Sequence, residues 1–401
     1  MSTRLSYVWL SLCAGLGTQG AADVLRAFGS PEAVYAADRE RLTAASCKLR
    51  KAQVDALCDK DTERAERIIT RCTEQDIRII TIGDSAYPDR LRAIEDPPLV
   101  LYVRGRWPDF DHTPGIAVVG TREATPYGLH TAESIGAALG KAGYITVSGM
   151  ALGNDGAAHR GALRAGGLTV AVLAGGADVC YPPAHRGLMG DILLTGAVIS
   201  EYPPGTEPKR EHYRDRNRIL SGLCVATVIV EAGEYRSGAL ITARRALDQG
   251  RDVYAVPGAL DAPQSKACNE LIEKGEAALL GSPEALVRAY RSMLPGKSAP
   301  RPKPAAPKRE PKPEPKPERP APTPSTPPAP QPAPAPQPTA LPDTLSEEER
   351  RIVELVQQGA STPEELLERC GLPAPRVMSM VTMLEMDGIL RREKGVLVVG
   401  K

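Results

Sequence analysis

Between positions 77 and 290, short apolar runs rich in β-branched residues alternate with longer stretches of helical periodicity. The runs are Ile79-Ile80-Thr81-Ile82, Leu99–Val103, Ile116–Val119, Tyr144–Val147, Thr169–Leu173, Ala197–Ile199, Thr227–Val230 and Val253–Val256. Their apolar residues occupy consecutive positions. Because neighbouring side chains of a strand point to opposite faces, such runs suit strands covered on both sides, as in a parallel sheet. The segments Gly128–Ala142, Gly156–Ala165, Leu188–Leu194, Arg218–Leu223 and Ala239–Gln249 supply crossover helices. The pattern predicts an α/β domain over residues 76–292, a Rossmann-like, doubly wound and mostly parallel sheet.

The flanks differ. Residues 1–75 read as helices only, with Leu12, Leu16, Val24, Leu25 and Phe28 on helical spacing and the same style continuing from Asp38 to Leu57. Here Gly15-Leu16-Gly17, followed by Ala21, resembles a helix-hairpin-helix turn, whose glycines let amides approach a phosphate; a tight turn in a small SAM-like helical domain explains it equally well. From Pro295 to Pro342, 20 of 48 residues are proline, so residues 293–342 are expected to be a disordered, polyproline-type tether. Residues 343–401 read as a winged helix. Ser346 and Glu349 form a capping box, Ser361-Thr362-Pro363 opens a second helix, and Pro375–Asp387 is a third, stopped at Gly388. Ile389–Arg392 and Val396–Val399 then make a two-stranded wing.

Composition adds mostly exclusions. Lys and Arg total 50 against 49 Asp and Glu, so a basic surface must be local. The eight cysteines have neither zinc-site nor disulfide-framework spacing, and are expected to be reduced core residues. Without an N-terminal signal pattern or a long apolar run, the expected location is the cytoplasm, with no membrane association.

Candidate chemistry gathers at the carboxyl ends of the strands, where open α/β sheets bind ligands. Val119 leads into Gly120-Thr121-Arg122, Val147 into Ser148-Gly149-Met150, Leu173 into Ala174-Gly175-Gly176, and Val230 into Glu231-Ala232-Gly233. Small residues ahead of helix N-termini expose amides that favour anions, and Arg122 adds a charged fork. A dinucleotide is the usual tenant, but Arg122 stands where its fingerprint needs a second glycine, and no P-loop occurs. A nucleotide hydrolase is the other rival. Asp155 and His159 lie one turn apart, yet Asp155 is expected to cap a helix and no nucleophile–base–orienter set assembles around them. The Gly-Gly-x-Gly-Thr loop of such hydrolases is also missing from Glu231–Gly238.

The strongest positive signal is Lys209-Arg210-Glu211-His212-Tyr213-Arg214-Asp215-Arg216-Asn217-Arg218, five basic residues to two acidic with an aromatic ring among them. Cations attract phosphates while a ring stacks on a base, and only an unpaired strand offers its base faces. The competing reading is a solvated helix start with internal salt bridges to Glu211 and Asp215.

These residues also carry a resemblance. The chain resembles the bacterial DNA-processing protein A family, also called Smf, through Tyr87-Pro88, Asp96-Pro97-Pro98, Arg104-Gly105, Val119–Thr125, Tyr127-Gly128, Ser148–Ala151, Asp155, His159, Ser200–Pro203, Arg216-Asn217-Arg218, Val230-Glu231-Ala232, Ser237–Thr242, Ala255–Gly258, Asn269 and Leu271-Ile272. The resemblance implies single-stranded DNA binding without strong sequence preference in natural transformation. It further implies protection of incoming strands, displacement of single-strand-binding protein, loading of the recombinase RecA, a homodimer, and neither catalysis nor a cofactor. Its Gly-Thr/Ser-Arg motif falls on Gly120, Thr121 and Arg122, its basic residue on Arg210 and its stacking aromatic on Tyr213. The strand-contacting set is expected to be Gly120, Thr121, Arg122, Ser148, Gly149, Arg210, Tyr213, Arg214, Arg216, Asn217, Arg218, Ser237 and Gly238. Two departures stand out: His212-Tyr213-Arg214 replaces the usual His-Phe-Pro, and Ala267 stands near Ser265 where a glycine is common. A hydrolase of nucleoside monophosphates is the alternative.

The winged helix is not basic. From Asp343 to Lys401 there are 8 Lys and Arg against 11 Asp and Glu, a net of −3, and its third helix offers only Arg376. Phosphate repulsion favours a protein contact over duplex reading, with Arg391, Arg392 and Lys394 on the wing holding the duplex reading open.

Overall fold

The computed structural model describes residues 1–233, 237–294, 347–359, 363–370, 377, 380–381, 384, 389–393 and 396–399. The predicted tether, the Ser346 and Ser361-Thr362 caps, most of Pro375–Asp387, the wing turn with Lys394, and Glu234–Arg236 of the loop after Gly233 lie outside the described residues. The chain divides into two compact units, Met1–Pro307 and Lys308–Lys401.

The first unit begins with helices α1 (Thr3–Leu12), α2 (Gly17–Phe28), α3 (Pro31–Ala36), α4 (Arg39–Thr43), α5 (Lys51–Cys58) and α6 (Glu63–Glu74). Short polar side chains set three of the starts, since Ser2, Ser30 and Asp38 accept the otherwise unpaired amides of Leu5, Ala33 and Arg41. The Gly15–Gly17 turn takes positive φ at both glycines, and the Gly15 carbonyl accepts from the Gln53 amide at 2.9 Å. That carbonyl is thus tied into the bundle.

The sheet then follows as β1 (Arg78–Thr81), α7 (Asp89–Arg92), β2 (Val100–Gly105), β3 (Gly115–Val119), α8 (Pro126–Ala142), β4 (Ile145–Ser148), α9 (Asn154–Arg164), β5 (Thr169–Val172), α10 (Arg186–Thr195) and β6 (Ala197–Ser200). It continues with α11 (Arg210–Gly222), β7 (Cys224–Ile229), α12 (Gly238–Asp248), β8 (Asp252–Ala255), α13 (Lys266–Glu273), β9 (Ala278–Leu279) and α14 (Pro283–Ala289). Strand order is β1-β2-β6-β5-β4-β3-β7-β8-β9. The β1–β2 and β2–β6 pairs are antiparallel and the others parallel. This is the expected mostly parallel, doubly wound architecture. Both faces are covered: along β3, Ile116 and Val118 pack into one core while Ala117 and Val119 pack into another. Along β2, Val100 and Tyr102 face the helical bundle, whereas Leu101 and Val103 face the main core. The bundle therefore shares a core with the sheet.

Several elements differ from the sequence reading, the four-residue helix α7 among them. Helix α11 begins at Arg210, eight residues before the apolar periodicity shows it, because its first two turns are largely polar and exposed. The two-residue edge strand β9 and helices α13 and α14 have no counterpart among the predicted elements, being too short to build a periodic pattern.

In the second unit, α15 (Glu347–Gln357) and α16 (Pro363–Cys370) precede helical residues at 377, 380, 381 and 384, an i, i+3, i+4, i+7 set. Strands β10 (Leu390–Glu393) and β11 (Val396–Val399) form an antiparallel hairpin with Arg391 opposite Val398. Ile352, Val353, Leu366, Val377, Val381, Leu390 and Leu397 make its core.

Candidate functional site

Strand order reverses around β3, which lies between β4 and β7, and an open cleft of about 320 Å³ forms there beyond the strand ends. Its walls come from the β3 loop (Gly120, Thr121, Arg122), from α11 (Tyr213, Arg216, Asn217) and from the start of α12 (Ser237, Gly238). Ala151 and Asp155 also line it.

The β3 loop is held by Glu231, which the sequence shows only as one residue of a strand-end loop. Glu231 is buried, and its carboxylate accepts from both the amide and the hydroxyl of Thr125, while its carbonyl accepts from the Thr121 amide at 2.9 Å. On the other side, the chain at Gly153 passes directly over the Thr121 and Arg122 carbonyls. It does so at φ +77° and so close that a Cβ would lie 2.3 Å from the Thr121 oxygen, leaving room for glycine alone. Arg122 projects from this brace into solvent, with its guanidinium carbon 4.9 Å from the centre of the Tyr213 ring.

The amides are arranged otherwise than expected. Asp155, buried, accepts from the backbone N–H of Gly149 at 3.0 Å, and the backbone amides of Gly120 and Ala151 also favour its charged form. A carboxylate of the protein already fills the anion position that the glycine loops create. Burial raises the Asp155 pKa, and Arg216 and the three amides oppose that shift. Ser148 is likewise committed: it is fully buried and its hydroxyl donates to the Val118 carbonyl at 2.6 Å. Gly149 abuts the Arg216 guanidinium, with no space for a Cβ. The expectation that Ser148 and Gly149 offer free donors to a phosphate is corrected by these bonds, since the Ser148 hydroxyl and the Gly149 amide are engaged, while Gly120 lines the cleft. A dinucleotide reading also loses its footing, since a pyrophosphate would need the same amides.

The basic segment splits along its length: the helix is exposed or half-buried from Arg210 to Asp215 and buried from Arg216 onward. Arg210, Tyr213, Arg214 and Asn217 follow i, i+3, i+4, i+7 spacing, and both arginines are exposed. Among the described residues, none of Arg122, Arg210 and Arg214 has a carboxylate ion-pair partner. Tyr213 is half-buried; burial raises its hydroxyl pKa, and the Arg122 charge offsets part of this. The stack of His212 on Tyr202, centroids 4.0 Å apart, and the His212 Nδ1 contact to the Ala174 carbonyl at 3.0 Å hold this end of the helix against the β5 loop.

Arg216 and Arg218 turn inward. The Arg216 guanidinium donates to the carbonyls of Val172 and Gly149, the latter at 3.1 Å, and through Nε to Asn217 Oδ1. Asn217 donates in turn to the Gly238 carbonyl at 3.2 Å. Arg218 is 0% exposed and makes a two-pronged pair with Glu201 at 2.8 and 2.6 Å, with Asp96 at 3.2 Å. Burial alone would lower its pKa, but Glu201 and Asp96 outweigh this and raise it. Arg218 is thus away from the cleft. Ser237 and Gly238 do line the cleft, Ser237 while accepting from the Leu240 amide as the cap of α12.

Of the hydrolase pair, Asp155 is engaged by the Gly149 amide and His159 is sealed off. His159 has no exposed surface, and its Nδ1 contacts Thr169 Oγ1 at 2.6 Å. All eight cysteines are free. Among the described residues there is no His, Cys, Asp and Glu cluster able to hold a metal ion, and no helix long and apolar enough to cross a membrane.

An open α/β sheet with a cation- and aromatic-rimmed crevice at its switch point defines a Rossmann-like ligand-binding protein. The family model of DNA recombination-mediator protein A matches residues 78–291, and that of the DprA winged helix domain matches residues 304–395. The chain belongs to the DNA recombination-mediator protein A (DprA) family. It is similar to the DNA processing protein DprA of Bacillus subtilis, 38% identical over 213 residues that cover 53% of this chain and 71% of the relative. Against protein Smf of Synechocystis the identity is 40% over 215 residues, 52% of this chain and 53% of the relative, so only about half of that protein's length is matched. The X-ray structure of DprA from Streptococcus pneumoniae superposes with a TM-score of 0.62 at 33% identity, covering 72% of this chain and 98% of that one.

Proposed function

We propose that the cleft rim binds an unpaired DNA strand, with Arg122, Arg210 and Arg214 on phosphates, Tyr213 stacked on a base, and Thr121, Ser237 and Gly238 shaping the wall. The observation that carries this reading is the set of three exposed arginines that have no carboxylate partner among the described residues, around the half-buried Tyr213 ring. Unpaired surface cations are available for phosphates, and a ring between them favours bases that are not locked in a duplex. Gly120, Ser148, Gly149, Arg216 and Asn217 then act beneath the rim, and Arg218 fixes α11 from behind. Family membership supports the wider role: handling incoming strands in natural transformation and recombination, without bond-making chemistry, in the cytoplasm. Protection of the strand, loading of RecA, the homodimer, and a protein-contacting winged helix belong to the same proposal.

Fluorescence anisotropy with labelled single- and double-stranded oligonucleotides across a salt series tests it. Arg122→Ala and Arg210→Ala should each weaken single-strand binding and flatten the salt dependence, by about 0.7 in log–log slope for each phosphate no longer neutralised. Tyr213→Ala should weaken binding with nearly the same slope. Unchanged affinity in all three variants would remove the site.

A further inference from the structure

Tyr181 is the exposed ring beside the cleft to which nothing above gives a role. It lies between β5 and α10, in Cys180-Tyr181-Pro182-Pro183, and 48% of its surface is open to solvent. Its ring centre is 6.4 Å from that of Tyr213, with the planes inclined at 64°. Rings inclined this steeply cannot sandwich one base, which needs two parallel faces. Each can instead offer a face to its own base, provided the two bases are unstacked from one another, a freedom that an unpaired strand has and a duplex lacks.

We propose that Tyr181 is a second base-stacking platform, so that the cleft receives successive unpaired bases on Tyr213 and Tyr181 and the strand path crosses the β5–α10 loop. This rests on the strand-binding reading of the same cleft and adds to it a direction and a residue. Arg122, lying on the Tyr213 ring, is placed to meet the phosphate chain beside the first base.

The test is anisotropy on the full chain with oligothymidylates lengthened one nucleotide at a time, comparing Tyr181→Ala, Tyr181→Leu, Tyr181→Phe and Arg122→Ala. Tyr181→Ala and Tyr181→Leu should bind long strands about fivefold or more weakly, since one stacked base is worth ~1–3 kcal/mol. The deficit should set in only above a definite length, with the salt dependence unaltered, while Tyr181→Phe keeps the original affinity. Thermal unfolding accompanies each variant, and Tyr181→Leu preserves apolar bulk should the alanine variant be poorly folded. If the Tyr181 variants bind normally at every length while Arg122→Ala is weakened, the second platform is refuted and the strand-binding site stands. If Arg122→Ala also binds normally, both fall together.

Discussion

Helix α11 carries four arginines and treats them in two opposite ways. Arg210 and Arg214 stand in solvent, while Arg216 and Arg218 are buried under backbone carbonyls and carboxylates. The same contrast runs through the whole cleft. Its lower layer of Asp155, Arg216, Ser148 and Glu231 is buried and bonded within the fold, and its rim of Arg122, Arg210, Tyr213 and Arg214 is more open. Residue type therefore does not reveal which cations are available to a ligand. A buried cation has its partners within the fold, because an unpaired one would be too unfavourable to bury.

The largest effect should come from the sealed layer. Arg218→Met leaves Glu201 and Asp96 facing each other without their cation, and should destabilise the fold by about 3–5 kcal/mol in urea unfolding. A loss below about 1 kcal/mol would mean that the pair behaves as a surface bridge and that the contrast between the layers is false. The rim should respond in the reverse sense. Arg210→Ala and Arg214→Ala should leave unfolding within about 0.5 kcal/mol of the parent. Each should cost about 1.5–3 kcal/mol of strand affinity if it holds a charged hydrogen bond to phosphate; a large stability loss instead would place these residues in the scaffold.

Acid sharpens the same comparison. Burial, with the neighbouring cations secondary, lowers the His159 pKa from its ordinary 6.5 to about 3. The unfolded chain therefore takes up a proton near pH 6.5 that the folded chain refuses. The stability tied to His159 is fully present above that pH and is lost as the pH falls toward 3. Lowering the pH from 6.5 to 5 in an unfolding series should remove about 2 kcal/mol, and His159→Gln should flatten that part of the profile. The smallest effect belongs to Arg71, which links α6 to Asp178 at 3.0 Å, Asp178 also accepting from the Gly205 amide before α11. Arg71→Ala should cost only about 0.2–1 kcal/mol, because one partner is half-exposed.

Much of the fold is legible in the chain because burial on both faces leaves a mark in every residue of a strand: all eight apolar runs coincide with strands of the sheet. The site is legible only in part. Arg122, Arg210 and Tyr213 stand where the Gly-Thr-Arg loop and the basic segment place them. Arg218 belongs to the same run of letters, one turn on from the exposed Arg214, but lies in the buried second half of α11, Arg216–Gly222, which the letters alone do not mark. Asp155 reads in the sequence as a helix cap, whereas its carboxylate accepts from the Gly149 amide of the preceding strand-end loop and is flanked by the buried Arg216, a setting made only in space.

The pattern along the chain by itself determined the parallel sheet, the crossover helices and the local gathering of positive charge, since each follows from the period and chemistry of neighbouring residues. Only the tertiary structure decided which charges are free. That depends on distant partners, Glu201 and Asp96 for Arg218 and the Val172 and Gly149 carbonyls for Arg216, brought together by strand order rather than by proximity in sequence.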